Sequence, residues 1–130
     1  MSKIYKTETE WKEELSDIAF DVTRKGATEM AFSNDSFPET PAYFRCVCCK
    51  EILFDSAHKF ESGSGWPSFF KPEDDERIEY IEDKTFGMVR VEVNCKRCGS
   101  HLGHVFDDGP APSKLRYCIN SLSLKLDKSN

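Results

Sequence analysis

The sequence predicts an antiparallel, mainly β domain that follows short N-terminal helices and is held together by a metal site. From Tyr43 onward the apolar residues lie in short runs, several of them alternating, separated by turn residues, which is the pattern of antiparallel strands. No segment of that region is long enough for the helical crossover that parallel strands require. Six cysteines are many for 130 residues, and four of them form two Cys-x-x-Cys pairs.

The length and composition are those of one domain. We expect residues 1–130 to form a single domain, with a helical and loop lead-in over 1–40 and a β core over 41–130. The net charge of -5 disfavours nucleic acid as a partner, because phosphate binding needs clustered Lys and Arg. No apolar run approaches the roughly 20 residues that span a bilayer, so no membrane is expected either. The N-terminus shows no apolar stretch behind its lysines, so we expect no secretory signal and a cytoplasmic location.

The lead-in is expected to contain two short helices and a loop. Thr7 followed three residues later by Glu10 is the pattern of a capping box at a helix start. Ser16 is placed to cap a second helix, which Gly26 would end. Residues 32–41, rich in Ser, Asn and Pro, are expected to be loop.

Short strands are expected along the whole β core. Val89, Val91 and Val93 alternate with charged residues, as in a strand with one buried face. A turn at 82–84 should join this strand to the preceding one as a hairpin. The expected strands are 43–47, 52–54, 77–81, 89–93, 102–106, 115–119 and 122–126.

The two Cys-x-x-Cys pairs predict one structural zinc ion. Two residues between thiolates let both sulfurs of a tight turn face one ion, and two such turns complete a tetrahedral shell. Residues 50–94 separate the pairs, so the ion would tie distant strands together. A redox role for either pair would require a βαβ context that is missing here. The predicted ligands are Cys46, Cys49, Cys95 and Cys98, with Cys48 left without a role and no organic cofactor expected.

The remaining cysteine, Cys118, is a candidate nucleophile. A lone cysteine is usually a small buried hydrophobic residue. On the predicted strand, however, Arg116 and Asn120 point to the same face as Cys118. A guanidinium near a thiol favours the thiolate, which is the nucleophilic form, and the asparagine offers an amide donor beside it.

Two further motifs have a chemical and a structural interpretation. His101 and His104 can act as general acid or base beside a thiol. Their spacing from the second cysteine pair equally permits a second zinc site, and hence a zinc-binding module without enzymatic activity. Trp66, in the tight turn 63–68, is either a core residue or a platform for a small apolar or sulfur-bearing group.

Taken together, these motifs resemble the methionine-R-sulfoxide reductase (MsrB) family over nearly the whole chain. The lead-in is also similar, at Trp11 and at residues 22–29. The resemblance implies a mainly β fold of two antiparallel sheets with short N-terminal helices and a structural zinc site. The matching stretches are Cys46-x-x-Cys49 with Leu53-Phe54, and residues 62–69, 95–110 and 116–121.

The resemblance also implies an activity in protein repair and a set of site residues. Cys118 would attack the sulfur of methionine-R-sulfoxide, in oxidised proteins or peptides and as the free amino acid, and would become a sulfenic acid. Trp66 would pack on the methyl group of the sulfoxide. The implied catalytic residues are Cys118, His101, His104 and Asn120, and the implied substrate-binding residues are Trp66, Arg116, Asp108 and Phe106.

The chain departs from the common family pattern at Ser64, where many members carry a resolving cysteine. Serine cannot form the intramolecular disulfide, so we expect an external thiol to reduce the sulfenic acid: thioredoxin, glutaredoxin or glutathione. Resolution by Cys48 is the alternative, and it would require the zinc-binding turn Cys46–Cys49, which contains Cys48, to reach the active site. A zinc hydrolase is excluded, because four thiolates leave the metal no open position.

Overall fold

The computed structural model describes residues 3–30, 41–84 and 87–128, and it confirms the mainly β fold with two short helices. The helices are α1 (Glu8–Glu14) and α2 (Asp17–Lys25). The strands are β1 (Ala42–Cys46), β2 (Ile52–Asp55), β3 (Lys59–Phe60), β4 (Ser68–Phe69), β5 (Ile78–Asp83), β6 (Arg90–Cys95), β7 (His101–Phe106), β8 (Arg116–Ile119) and β9 (Leu124–Lys128). They form two antiparallel sheets, in the orders β2-β1-β9 and β3-β4-β8-β7-β6-β5.

The helix ends lie where the capping residues place them. The Thr7 hydroxyl accepts a hydrogen bond from the Glu10 amide at 3.2 Å, and the Glu10 carboxylate accepts one from the Thr7 amide at 3.0 Å. Ser16 caps α2, and Gly26 ends it in the left-handed conformation with φ 74°. The loop predicted for 32–41 lies almost wholly outside the described residues.

Most strands lie close to their predicted positions, and the differences concern short or irregular elements. The predicted hairpin is present as β5 and β6, although β5 extends to Asp83, into the predicted turn. The strand predicted for 122–126 begins only at Leu124, because Ser121–Ser123 form a 3-10 turn. The two-residue strands β3 and β4 were not predicted, since they are too short to show a periodicity.

The expectation of a buried valine face on the strand predicted for 89–93 was wrong toward the hairpin tip, and the observed strand β6 begins only at Arg90. Val93 is fully buried, but Val91 is 37% and Val89 71% exposed. The hydrophobic core therefore covers the hairpin only near its Cys95 end, where Ile78 and Val93 join the buried cluster. Among the described residues, none of the helices is long and apolar enough to cross a membrane.

Aromatic side chains pack between the two sheets, on the inner face of β8. Phe54 stacks on Phe69 with ring centroids 4.3 Å apart, and Phe44 meets the same ring edge-on at 5.1 Å. Tyr117 of β8 packs against Phe54 at 6.0 Å, and Ile119 is fully buried. Because side chains alternate along a strand, Tyr117 and Ile119 anchor β8 in the core and leave the Cys118 side chain on its other face.

Candidate functional site

The four predicted ligand cysteines lie together. Their sulfur atoms are all within 4.8 Å of one another, and the Cys46–Cys98 and Cys49–Cys95 pairs are each separated by 3.6 Å. Tetrahedral zinc with Zn–S bonds near 2.3 Å places its sulfurs about 3.8 Å apart. The donor set and its spacing therefore fit a closed four-thiolate zinc site.

The position of this cluster explains why such a site would stabilise the fold. Cys46 ends β1 of one sheet and Cys95 ends β6 of the other, so an ion would connect the two sheets. Arg24 of α2 donates a hydrogen bond to the Cys98 carbonyl at 2.7 Å, which attaches the helical lead-in to the Cys95–Cys98 turn. Among the described residues, the four cysteines are the only group of His, Cys, Asp and Glu arranged to hold a metal. A second zinc site on the histidines is therefore not found there.

A second feature is a cavity of about 300 Å³ on the open face of the six-stranded sheet. The predicted residues Cys118, His104, Asn120, Trp66, Arg116 and Phe106 all line it, so the structure brings most of the predicted site together. The lining also includes four residues to which no role was given: Thr28, Ser64, Arg90 and Gly103. The predicted residues His101 and Asp108 are not part of the lining and lie just outside it.

The register of β7 against β8 builds one wall of the cavity. His104 lies directly opposite Cys118, and Phe106 lies opposite Arg116. Directly opposed residues project to the same face of a sheet, which places the imidazole beside the thiol. Gly103 is required next to this pair, because a Cβ at that position would lie against the Cys118 carbonyl oxygen.

The half-buried Cys118 thiol experiences opposing influences. Burial raises the pKa of Cys118 above its ordinary value, and the Glu29 carboxylate acts in the same direction. The Arg116 guanidinium and a hydrogen bond with Ser64 lower it, as the sequence suggested for the arginine, but burial has the larger effect. The free protein therefore holds Cys118 mainly as the thiol at neutral pH.

An ion pair with Asp108 explains why Arg116 does not bring the pKa of Cys118 below its ordinary value. The Arg116 Nε and Nη2 atoms donate to the two Asp108 carboxylate oxygens at 2.9 and 3.2 Å. The Arg116 guanidinium also lies 4.5 Å from the Phe106 ring centroid, in a cation–π contact. Asp108, whose side chain is 62% exposed, does not line the cavity and is connected to it through Arg116.

The two histidines form a half-buried network with two carboxylates. His104 Nε2 lies 2.9 Å from Asp83, and His101 Nδ1 lies 2.5 Å from Glu92. The two imidazole rings are 5.7 Å apart. Burial lowers the pKa of His101, although Glu92 beside it acts in the opposite direction.

A β-bulge places both histidines on one face. The register between β6 and β7 shifts between Val93 and Asn94, so β7 has one additional residue, Leu102, at this point. Without the bulge, His101 and His104 would project to opposite faces, since they are three residues apart.

The other wall of the cavity comes from the turn that carries Trp66. Its indole N–H donates to the Glu29 carbonyl at 2.9 Å. The Pro67 carbonyl accepts from the Ile119 amide at 2.9 Å, which fixes the turn to β8. Asn120 is 3% exposed, and its amide donates to the Leu102 carbonyl at 3.0 Å.

Ser64 lies beside Cys118 in a small cluster of hydroxyl groups. Ser62 donates to Ser64 at 2.8 Å and shares a hydrogen bond with Ser68 at 2.7 Å. Cys48, in contrast, is buried in the core beside the metal cluster and does not line the Cys118 cavity. None of the other cysteines of the chain lines this cavity.

Sequence reasoning missed Glu29, Asp83 and Glu92, the carboxylates that support the site. The alternation of Arg90 and Glu92 with valines could have indicated a charged functional face on β6. Glu29 lies in the stretch 22–29 that resembles the family, but nothing in that stretch gives it a role, and no local pattern marks Asp83, because each meets its partners only in the folded chain.

Comparison with known proteins identifies the family. Residues 15–128 match the model of the SelR domain. A "Peptide methionine sulfoxide reductase MsrB" from Pseudomonas paraeruginosa is 54% identical over 127 residues, which cover 97% of this chain and 96% of that protein. Proteins of the same name from Methylibium petroleiphilum and Saccharophagus degradans are 53% and 48% identical, over 94% and 98% of this chain and 89% and 97% of their own lengths. The chain therefore belongs to the MsrB family of oxidoreductases, whose domain is SelR.

Proposed function

We propose that this chain reduces the R epimer of methionine sulfoxide, in oxidised proteins or peptides and as the free amino acid. The observation that carries the proposal is a single thiol, Cys118, in a cavity of about 300 Å³ between an indole and an imidazole. This volume suits one small side chain, and the lining offers both apolar and polar walls. The names of the relatives support the same reaction class.

In the proposed first step the Cys118 sulfur attacks the sulfoxide sulfur. His104, which lines the cavity opposite Cys118, is placed to give a proton to the sulfoxide oxygen. The S–O bond of the sulfoxide then breaks as the oxygen bonds to Cys118, the transient sulfur–sulfur bond breaks with it, and His104 recovers a proton from the Cys118 thiol. The sulfoxide is reduced to methionine, and the thiol is oxidised by two electrons to sulfenic acid.

The remaining side chains orient these groups. Trp66 provides the surface for the sulfoxide methyl group, while Arg116 and Phe106 form the facing wall. Asp108 holds Arg116 in place, and His101 supports its neighbouring imidazole. Asn120 closes the cavity beside Cys118, with its amide fixed by β7.

In the second step an external thiol, from thioredoxin, glutaredoxin or glutathione, attacks the sulfenic sulfur. Water leaves and a mixed disulfide forms, and a second thiol then releases Cys118 and carries away the disulfide. Two features support an external reductant: Ser64, which cannot form a disulfide, lines the cavity beside the thiol, and Cys48 is buried in a different part of the core.

The four-cysteine cluster would hold one structural Zn²⁺, which supplies folding energy. Its closed thiolate shell leaves no position for a substrate, so the chemistry belongs to the chain's own side chains. A cytoplasmic location stays a prediction.

The test is turnover of the separated R and S epimers of a protected methionine sulfoxide, with dithiothreitol as reductant. We expect reduction of the R epimer alone, loss of activity in Cys118→Ser, and retained activity in Cys48→Ser, the matched control at a non-ligand cysteine. If folded, zinc-loaded protein reduced neither epimer, the proposal would be wrong, and a zinc-binding module without enzymatic activity would replace it.

A further inference from the structure

Glu29 is a buried carboxylate that contacts the site from the helical lead-in. It lies outside every helix and strand and is only 6% exposed. Its carboxylate oxygens accept from the Ser121 hydroxyl at 2.7 Å and from the Leu122 amide at 2.9 Å. Its own amide donates to the Asn120 side chain at 3.0 Å, and its carbonyl accepts from the Trp66 indole at 2.9 Å. One residue thus contacts two walls of the Cys118 cavity.

The Glu29 carboxylate caps the 3-10 turn after β8 in place of the Asn120 side chain. Asn120 precedes the 3-10 turn Ser121–Ser123 in the conformation of a capping residue, but its side chain makes no capping hydrogen bond. Its amide group is used instead by the Leu102 carbonyl and by the backbone of Glu29. The Glu29 carboxylate binds the Leu122 amide in its place. Asn120 can therefore remain in the cavity because Glu29 caps the turn.

We propose that Glu29 is a positioning residue for the sulfoxide cavity, whose carboxylate anchors the lead-in to the turn after β8 and so fixes Trp66 and Asn120 around Cys118. This inference rests on the proposed function for its kinetic consequence but not for its structural one. Buried carboxylates are stable only when hydrogen bonded, and both Glu29 carboxylate bonds reach the chain directly after the catalytic strand.

Loss of the anchor should loosen the indole more than it affects the chemical step. The backbone of Glu29 would lose its side-chain tether, and the Trp66 indole would lose its fixed acceptor. The thiol and His104 would keep their places, because β-sheet pairing holds them. We expect KM for the R epimer to rise about tenfold in Glu29→Ala, equivalent to about 1.4 kcal/mol of binding, with kcat changed less than about twofold.

Two variants control for a merely structural role. Glu29→Gln keeps the size and can accept from the Leu122 amide while donating to the Ser121 hydroxyl, so it should retain the wild-type KM. Ser56→Ala removes a hydroxyl that accepts from the Ala42 amide at 3.0 Å, in the other sheet. It should lower stability without changing KM.

The second readout needs no activity. The chain has two tryptophans, so a ¹H–¹⁵N spectrum shows two indole N–H signals, and Trp66→Phe identifies that of Trp66. In Glu29→Ala we expect the Trp66 indole proton to move upfield and exchange faster, with Trp11 unchanged. If Glu29→Ala fails to fold, Ser121→Ala provides the milder loss of one carboxylate bond, and a KM raised about threefold is expected.

The inference would be overturned if neither KM nor the Trp66 indole signal changed in Glu29→Ala. The same holds for Ser121→Ala where that variant is used instead. A fall in kcat with KM unchanged would also overturn it. An inactive wild-type protein would instead remove the proposed function, while the indole signal would still decide whether Glu29 holds Trp66.

Discussion

On the proposed mechanism, replacing Ser64 by cysteine should let the chain resolve its sulfenic acid through an internal disulfide instead of an external thiol. Ser64 lines the same cavity as Cys118 and lowers the pKa of its thiol, so we expect a thiol at position 64 to reach the sulfenic acid. Attack from position 64 would form the S–S bond and release water. The variant Ser64→Cys, given sulfoxide but no reductant, should therefore lose two hydrogens, about 2 Da, after one turnover.

The size of the effect on stability follows from the chain between the two positions. A disulfide there closes a loop of about 54 residues. By restricting the unfolded chain, it should raise the free energy of unfolding by about 4 kcal/mol. For a domain of this length, that corresponds to a melting temperature about 15 °C higher in the oxidised than in the reduced variant. Strain in the bond would reduce this value, so it is an upper estimate.

The assay is intact-mass analysis and melting of the zinc-loaded protein after a single turnover. Ser62→Cys is the matched control, because Ser62 lies two residues from Ser64, directly before the same turn, but does not line the Cys118 cavity. It should keep a sulfenic acid on Cys118 and no disulfide. A persistent sulfenic acid in Ser64→Cys, or a disulfide in Ser62→Cys alone, would refute the assigned geometry.

Three further predictions concern the thiol, the metal and the backbone. In Arg116→Met the pKa of Cys118 should rise further, so alkylation by iodoacetamide should increase only at higher pH than in the wild type; an unchanged pH profile would contradict the electrostatic role. Cys98→Ser should lose bound zinc and melt far lower, whereas Cys48→Ser should retain both, as measured by metal analysis and calorimetry. Gly103→Ala should destabilise the protein by about 1–3 kcal/mol in denaturant unfolding and displace β8 at Cys118; wild-type stability and activity together would contradict the close approach.

The sequence was informative where function lies in a local pattern. Strand alternation alone placed Arg116, Cys118 and Asn120 on one face, and all three line the cavity. The cysteine spacing likewise predicted a metal cluster before any contact between the two sheets was known. Both inferences need only neighbouring residues and a regular backbone.

The parts that sequence could not predict depend on irregular or distant pairing. His101 and His104 share a face only because of the bulge in β7, and no residue type marks that bulge. Glu29 reaches Asn120 across 91 positions of sequence, so its contact exists only after the core has formed. The net direction of the Cys118 pKa was also missed, because burial is a tertiary property that outweighs the adjacent guanidinium.

The central claim is that Cys118 itself removes the oxygen from the sulfoxide. It is tested most directly by one turnover of zinc-loaded protein with the R epimer and no reductant, followed by dimedone labelling and peptide mapping. The account predicts about one methionine released per chain, with the label on Cys118 and neither product in Cys118→Ser. Methionine released while Cys118 stays a free thiol, or a label confined to another cysteine, would contradict it.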